Sequence, residues 1–131
     1  MRFVDTSFWV ALALRRDDRH AMAVTLSQGG TGPLTTTNYV LGETWTFLRR
    51  RDSHAVAMRF LRGVRRLSML AVQHVDEPTE REAWRWLERH DERPYSFVDA
   101  TSFAVMRRLR VREALAFDDD FSAAGFIEVR A

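Results

Sequence analysis

Segments typical of β-strands alternate with segments typical of α-helices along the whole chain, and no other feature limits the possible folds as strongly. Short β-prone or apolar runs predict strands at residues 2–4, 34–37, 69–75, 114–117 and 126–129. The segments between them predict helices through residues 8–13 and at about residues 17–27, 38–50, 53–66, 77–90 and 97–109. This alternation predicts an α/β fold with a mainly parallel sheet.

The composition excludes several classes of site. The chain has no cysteine, which excludes disulfides, zinc–thiolate sites and cysteine nucleophiles. All 20 basic residues are arginine. Mechanisms that need a lysine are therefore excluded as well, including those of P-loop nucleotide-binding sites and phosphoacceptor receiver domains.

Length and hydropathy patterning predict one globular domain over residues 1–131, without repeats or linkers. The opening residues lack the pattern of a secretory signal, and no apolar stretch approaches the roughly 20 residues that cross a bilayer. We therefore expect the protein in the cytoplasm.

Two aspartates follow directly on predicted strands. Asp5 comes after the strand at residues 2–4, and Asp118 comes after the strand at residues 114–117. In open α/β sheets, functional groups gather beyond the carboxyl ends of the strands. Structural explanations exist too, because Asp5 could cap the following helix and the acidic run from Asp118 could be a solvated turn.

Glu43 lies on a predicted helix that Asn38 would cap. On this helix Val40, Thr44 and Phe47 form a stripe at helical spacing, and Glu43 lies on or beside it. A carboxylate in such a place is rarely buried without a partner. It therefore indicates either a functional site or a salt bridge to one of the arginines.

Asp99 stands in the stretch SFVDATSF, in the first turn of the helix predicted at residues 97–109. The helix dipole favours an acid there, which is a sufficient structural explanation. Ser102 lies one turn further on the same face. A hydroxyl beside a carboxylate suits a hydrated metal site, and it also suits a capping turn.

The four acids would form a metal site if the strand ends and helix starts converge. Like charges a few ångströms apart cannot all stay ionised, so protons or cations must enter such a pocket. Ligands that are all oxygen select Mg²⁺ or Mn²⁺ rather than zinc. These ions activate water and stabilise an anionic phosphoryl group.

Four motifs, in this order and spacing, resemble those of the PIN-domain ribonucleases: FVDTSFWVAL, TTTNYVLGET, YSFVDATSF and ALAFDDDF. The size and the order of elements are similar to those of VapC toxins from toxin–antitoxin pairs, and the likeness covers essentially the whole chain. The resemblance implies a three-layer α/β/α PIN fold. It also implies a metal-dependent endoribonuclease that hydrolyses RNA with metal-activated water, leaving a 5′-phosphate and a 3′-hydroxyl.

The resemblance also implies roles for individual residues. The catalytic acids would be Asp5, Glu43, Asp99 and Asp118. The metal ligands would be Asp5, Asp99, Asp118 and, directly or through water, Asp120. Hydroxyls expected to support these ligands belong to Thr6, Ser7 and Ser102.

Partners are implied in the same way. We expect an RNA substrate, a homodimer, and a cognate antitoxin that inserts a segment near the active site. Arginines that follow Glu43 and Asp99 on their helices are candidates for holding RNA phosphates, although each could simply line a solvated helix face. These candidates are Arg49, Arg50, Arg107 and Arg108.

Two alternatives stay open at this stage. The first is a PIN-domain nuclease that processes RNA without an antitoxin, and a small antitoxin gene beside this one would argue against it. The second is a PIN fold that has lost catalysis and only binds. The presence of all four acids argues against the second alternative.

Overall fold

Five short strands form one parallel sheet in the computed structural model, which describes residues 1–30 and 32–131. The strands are β1 (Arg2–Val4), β2 (Leu34–Thr37), β3 (Leu70–Gln73), β4 (Glu113–Leu115) and β5 (Ile127–Glu128), in the spatial order β3-β2-β1-β4-β5. Within the described ranges, seven helices flank the sheet: α1 (Thr6–Ala13), α2 (His20–Gln28), α3 (Asn38–Arg51), α4 (His54–Arg65), α5 (Glu77–Arg89), α6 (Phe97–Leu109) and α7 (Asp120–Ala123). The predicted α/β fold with a parallel sheet is confirmed.

The central strand β1 pairs with β2 on one side and with β4 on the other. Phe3 is the register partner of Thr35 and of Ala114. The chain builds the sheet outward from β1 through β2 and β3 and then returns to the opposite side, so the strand order reverses between β1 and β4. Open α/β sheets bind ligands beyond the carboxyl ends of their strands at such a point. The topology therefore brings the residues after β1 and after β4 to the same edge.

The core fixes α6 against this sheet. Phe3, Val4 and Leu115 are fully buried on the two neighbouring strands, and Phe103 is fully buried on α6. The Phe103 ring meets the Phe121 ring edge-on, with 4.9 Å between the centroids. Full burial of one such side chain stabilises a fold by about 1.5–3 kcal/mol. This packing sets the position of the first turn of α6, which carries Asp99.

The ends of several elements differ from the predictions. Strands β3 and β5 are shorter than predicted, and β4 begins and ends earlier. Helix α2 begins at His20 rather than at residue 17, because the preceding residues form a turn in which Asp17 Oδ1 accepts a hydrogen bond from the Arg19 N–H at 2.8 Å. None of the helices in the described ranges is long and apolar enough to span a bilayer.

The prediction that Asn38 caps α3 is wrong. The N-cap is Thr37, the last residue of β2, whose hydroxyl accepts a hydrogen bond from the Val40 N–H at 3.0 Å. The Asn38 side chain instead accepts a hydrogen bond from the Val75 N–H at 3.0 Å. The strand runs directly into the helix, so the extended backbone that a cap needs falls one residue earlier than predicted.

Candidate active site

Three aspartates that are far apart in the sequence meet at the carboxyl edge of the sheet. Asp5, Asp99 and Asp118 each offer a carboxylate oxygen, and these oxygens lie within 4.8 Å of one another. The three residues line one cavity of about 420 Å³. Asp5 and Asp99 are buried, whereas Asp118 is exposed and opens the group to solvent. We call these three residues the acidic group and the space they line the acidic cavity.

Asp5 follows β1 and caps α1 while it takes part in the acidic group. Its carboxylate accepts hydrogen bonds from the Ser7 N–H at 3.1 Å and from the Ser7 hydroxyl at 2.8 Å. The Ser7 oxygen in turn accepts a hydrogen bond from the Phe117 N–H at 2.9 Å, just after β4. Asp5 therefore caps α1, as the structural explanation predicted, and its carboxylate also belongs to the acidic group. Ser7 links the two neighbouring strand ends.

Asp99 forms a capping box at the start of α6. Its N–H donates to the Ser96 hydroxyl at 2.9 Å, and its Oδ2 accepts from the Ser96 N–H at 3.0 Å. Oδ1 has no hydrogen-bond partner among the described residues. Ser96 was not predicted as a site residue, although the spacing of Ser96 and Asp99 resembles a capping-box pattern that could have identified it.

The turn after β4 is shaped by contacts that sequence reasoning missed. Asp119 adopts a left-handed conformation with φ 68°. Its N–H donates to the Glu128 carboxylate at 3.3 Å, and the same carboxylate accepts from the Ser122 N–H at 2.9 Å. The Asp120 N–H donates to Asp118 Oδ1 at 3.2 Å. Glu128 therefore holds the turn that carries Asp118 from the next strand along the chain.

Burial and mutual repulsion raise the pKa of all three carboxyls in the acidic group. Burial is the main cause for Asp5, whose pKa lies well above its ordinary value, and the charge of Asp118 raises it further. Burial also raises the pKa of Asp99 to about 6, with Asp118 adding to the effect. The pKa of Asp118 is raised because its carboxyl is partly desolvated in the cavity and because Asp120 is near. A bound cation would relieve this repulsion.

The donor set fits a hard divalent cation. All three ligands would be carboxylate oxygens, and no histidine joins this group in the part of the chain that the structure describes. Metal–oxygen distances of about 2.1 Å allow two oxygens around Mg²⁺ to lie up to about 4.2 Å apart. The observed spacing, within 4.8 Å, is close to this arrangement. Asp5, Asp99 and Asp118 are therefore the residues that could hold Mg²⁺ or Mn²⁺.

Glu43 and Thr6 form a pair on the wall of the same cavity. The Thr6 hydroxyl donates to Glu43 Oε1 at 2.6 Å, and both residues line the acidic cavity. Glu43 is exposed, and it is not one of the three clustered carboxylates. The structure thus brings Glu43 to the site as a neighbour of the acidic group, held by Thr6.

The predicted inward stripe of α3 is wrong at one position. Val40, Thr44 and Leu48 are the buried residues of this helix, and Phe47 is 41% exposed. Residues four apart on a helix lie on the same side. Phe47 therefore lies on the same side as Glu43, toward the cavity rather than the core.

Two predicted residues have other partners. Asp120 lines the acidic cavity, but its Oδ1 accepts hydrogen bonds from Arg93 Nε at 3.1 Å and Nη2 at 2.9 Å. Ser102 is fully buried, and its hydroxyl donates to the Val98 carbonyl at 2.9 Å. A serine inside a helix often bonds the carbonyl one turn earlier. The structure therefore does not bring Ser102 to the carboxylates, and it pairs Asp120 with an arginine.

The four candidate RNA-binding arginines differ in their surroundings. Arg107 and Arg108 each form an ion pair with Glu82 at 3.5 Å. Arg50 lines a larger cavity of about 880 Å³ that adjoins the acidic cavity, and Arg49 is exposed. The geometry favours Arg50 over the two arginines of α6.

Comparison with known proteins shows the family. The sequence model of the PIN domain matches residues 2–127. The chain belongs to the PIN-domain family. Relatives named 23S rRNA-specific endonuclease VapC20, from two strains of Mycobacterium tuberculosis, are 54% identical to this PIN-domain protein over 130 residues, which cover 99% of the chain and 98% of the relative. A VapC ribonuclease from Archaeoglobus fulgidus is 29% identical over 124 residues, 91% of the chain and 78% of the relative.

Solved structures agree with this assignment. The crystal structure of Mycobacterium tuberculosis VapC20, described as a sarcin–ricin loop cleaving toxin, matches with a TM-score of 0.95 and 52% identity and covers 100% of both chains. A toxin–antitoxin complex from Klebsiella pneumoniae matches with a TM-score of 0.67 at 12% identity, over 95% of this chain and 92% of that one, and supports the fold alone. The predicted PIN-like α/β fold is confirmed. The predicted class of activity, a nuclease toxin of the VapC type, is confirmed as well.

Proposed function

We propose that the protein is a Mg²⁺- or Mn²⁺-dependent endoribonuclease. The observation that carries the proposal is the convergence of three carboxylate oxygens within 4.8 Å of one another in a cavity open to solvent. Three clustered acids with raised pKa values are costly in a structural role alone, because no arginine pairs with the acidic group among the described residues. A divalent ion supplies the missing positive charge.

The residues around the ion would have distinct tasks. When bound, the ion would lower the pKa of a water molecule and stabilise charge on the RNA phosphate. Asp5, Asp99 and Asp118 would hold the ion, with Asp5 oriented by Ser7 and Asp99 by Ser96. Glu43, whose Oε1 is held by Thr6, would use Oε2 to accept a hydrogen bond from the attacking water.

The substrate we propose is ribosomal RNA. The relatives at 54% identity are named as specific for 23S rRNA, and the matching crystal structure is described as cleaving the sarcin–ricin loop. We propose the same loop as the target of this chain, which would then act in the cytoplasm.

We also propose that residues 1–131 form one PIN domain, and that it assembles as a homodimer with a cognate antitoxin. The family model covers nearly the whole length, residues 2–127, which supports the single domain. The 54% identity to VapC20, which is described as a toxin, supports the proposal of an antitoxin partner. A co-expressed antitoxin that fails to form any complex with this chain would remove the second part of the proposal.

Cleavage of RNA by the purified protein tests the catalytic proposal. We expect cleavage of 23S rRNA with Mg²⁺ or Mn²⁺, none with chelator, and a loss of at least about 100-fold in Asp5→Ala and Asp99→Ala. Glu88→Ala, which removes an exposed acid of α5 outside the cavity, is the matched control. Cleavage that persists in chelator, or full activity in both aspartate variants, would refute the mechanism.

The two alternatives make different predictions in the same assay. A non-catalytic PIN protein would bind RNA and leave it intact under every metal condition. A processing nuclease would cleave a precursor RNA rather than the mature ribosomal loop, and its gene would have no antitoxin gene beside it.

A further inference from the structure

A second cavity, rich in arginine, adjoins the acidic cavity. It measures about 670 Å³ and lies where the end of α1 meets the corner between α3 and α4. Its walls carry Arg15, Arg16, Arg51 and Arg59. Arg16 approaches Asp52 at 4.0 Å, whereas the other three form no ion pair with any described residue. We call this space the arginine cavity.

Phe47 lies at the junction of the two cavities. It lines both the acidic cavity and the arginine cavity, and it also lines the larger cavity that contains Arg50. Its side chain is 41% exposed although phenylalanine is ordinarily buried. The Phe47 ring is not part of the core, because the neighbouring residue Leu48 occupies the buried position on α3.

We propose that Phe47, Arg51 and Arg59 form a nucleotide subsite beside the acidic cavity, in which a base of single-stranded RNA stacks on Phe47 while adjoining backbone phosphates pair with the two arginines. The inference deepens the proposed RNA cleavage and rests on it. Guanidinium groups without protein partners can engage phosphate oxygens with two parallel hydrogen bonds. Aromatic rings beside basic grooves are the usual platforms for unpaired bases.

RNA fits this surface better than an acidic peptide does. A nucleotide joins a flat base and an anionic phosphate in one unit, and the surface offers an exposed ring and free arginines side by side. An acidic side chain would use the arginines but not the ring. The shared wall of Val10, Asp17 and Phe47 also makes the two cavities contiguous, so a strand cleaved at the acidic group can continue directly into the arginine cavity.

Binding measured in chelator tests the subsite separately from cleavage. The probes are a short fluorescein-labelled oligoadenylate and an abasic oligomer of equal length and charge, and the readout is fluorescence anisotropy over a series of salt concentrations. We expect Phe47→Ala to weaken oligoadenylate binding by about 5- to 150-fold and to leave abasic binding unchanged. Phe47→Trp should bind oligoadenylate more tightly than Phe47→Ala does, because the larger ring can still stack on a base.

The arginines should act on both probes. We expect Arg51→Gln with Arg59→Gln to weaken both and to reduce the slope of log affinity against log salt by about 1.4, or about 0.7 for each lost phosphate contact. The matched control is Arg62→Gln with Arg65→Gln, which removes two exposed arginines of α4 that line none of the three cavities. Its effect should be clearly smaller. Thermal melting of each variant confirms that it is folded.

Several outcomes would overturn the subsite. One is a loss of RNA affinity in the Arg62→Gln with Arg65→Gln control that equals the loss in Arg51→Gln with Arg59→Gln. Another is an effect of Phe47→Ala on the abasic probe as large as its effect on oligoadenylate. A third is a change of oligomeric mass of Phe47→Ala in light scattering. Unchanged RNA binding together with loss of the co-expressed antitoxin would assign the surface to a protein. If the wild type cleaves RNA with Mg²⁺ and Phe47→Ala binds normally, only the subsite fails. If binding behaves as predicted and nothing is cleaved, only the proposed function fails.

Discussion

The Asp99 carboxylate takes part in a capping box and in the acidic group at the same time, and Asp5 is both the N-cap of α1 and a member of the acidic group. In each case a serine beside the helix start fixes the carboxylate, through Ser7 or through Ser96. Capping accounts for the orientation of each acid but not for its burial beside other acids. Without a cation, this arrangement costs stability whenever the carboxyls are ionised.

Removing the charge of Asp99 is therefore expected to stabilise the metal-free protein at neutral pH. Burial raises the pKa of Asp99 from its ordinary 3.8 to about 6, so the folded state holds this proton more tightly than the unfolded state. The protonated Asp99 carboxyl makes its full contribution to stability below about pH 4, and this contribution is lost as the pH rises through about 6. Asp99→Asn keeps an oxygen acceptor for Ser96 without the charge. Above about pH 7, the free energy of unfolding of this variant should be about 1–3 kcal/mol higher than that of the wild type.

Urea unfolding in chelator at about pH 4 and about pH 7.5 measures this difference. The gain from Asp99→Asn should shrink at the acidic pH, where the folded wild type carries the proton and the unfolded state carries it in about half of the molecules. A gain of equal size at both pH values would mean that the charge of Asp99 is not its cause.

At the scale of elements, β5 and α7 support the turn that carries Asp118. The Glu128 side chain is only 2% exposed, and it accepts hydrogen bonds from two backbone N–H groups of this turn and from Arg130 at 2.9 Å. Arg130 also donates to the Ala116 carbonyl at 2.7 Å. The last strand thus constrains a loop whose aspartate belongs to the acidic group.

We expect Glu128→Ala to lower both the free energy of unfolding and the affinity for Mn²⁺. The substitution removes the charged acceptor of two backbone N–H groups and of Arg130, which costs about 1.5–3 kcal/mol, and it frees the turn around Asp118. Glu113→Ala, which breaks the partly exposed pair of Glu113 and Arg2, is the control and should cost less than about 1 kcal/mol. Calorimetric titration with Mn²⁺ and urea unfolding are the measurements. A loss of stability with unchanged Mn²⁺ affinity would limit Glu128 to a structural role.

At the scale of the whole molecule, the acidic group joins β1, the start of α6 and the turn after β4. These segments are separated by most of the sequence, and the parallel sheet and the core of Phe3, Phe103 and Phe121 bring them together. An ion held by all three segments would bind the folded state and not the unfolded one. Metal binding would therefore be linked to global stability.

Mn²⁺ is expected to raise the melting temperature in a concentration-dependent way. At an ion concentration 100-fold above the dissociation constant, the added stability is about 2.7 kcal/mol. The double variant Asp5→Asn with Asp118→Asn should show no such rise, although its metal-free melting temperature should be at least that of the wild type. Thermal melting over a Mn²⁺ titration measures both. An equal rise in the variant would place the ion elsewhere on the protein.

The elements and two of the three clustered acids could be predicted from local patterns. β-prone runs and helical spacing are properties of neighbouring residues, and they predicted the parallel sheet without reference to distant contacts. Because parallel strands end at one edge, the aspartates after β1 and β4 were expected to lie close together. Asp99 needed the resemblance to known motifs, because its position at a helix start has a sufficient local explanation.

Other features depend on contacts that no local pattern encodes. The sequence of α3 is compatible with two different apolar stripes. Only the packing of this helix against its neighbours shows that Leu48 is buried while Phe47 is exposed. The pair of Arg93 and Asp120 joins segments that are 27 residues apart, and Glu128 accepts hydrogen bonds from the turn before its own strand. Ser102 lies one helical turn after Asp99, as a supporting residue would, but its side chain is fully buried in the core.

The amino-acid sequence alone determined the class of fold, the sheet edge at which chemistry could occur and the oxygen-only character of the ligands, because these follow from residue type and from short-range periodicity. The tertiary structure decided which acids share one ion-sized space, which acid is held by an arginine, and which aromatic ring is left facing the cavity. Those outcomes depend on the packing of segments that are distant along the chain, and short-range patterns carry no information about that packing.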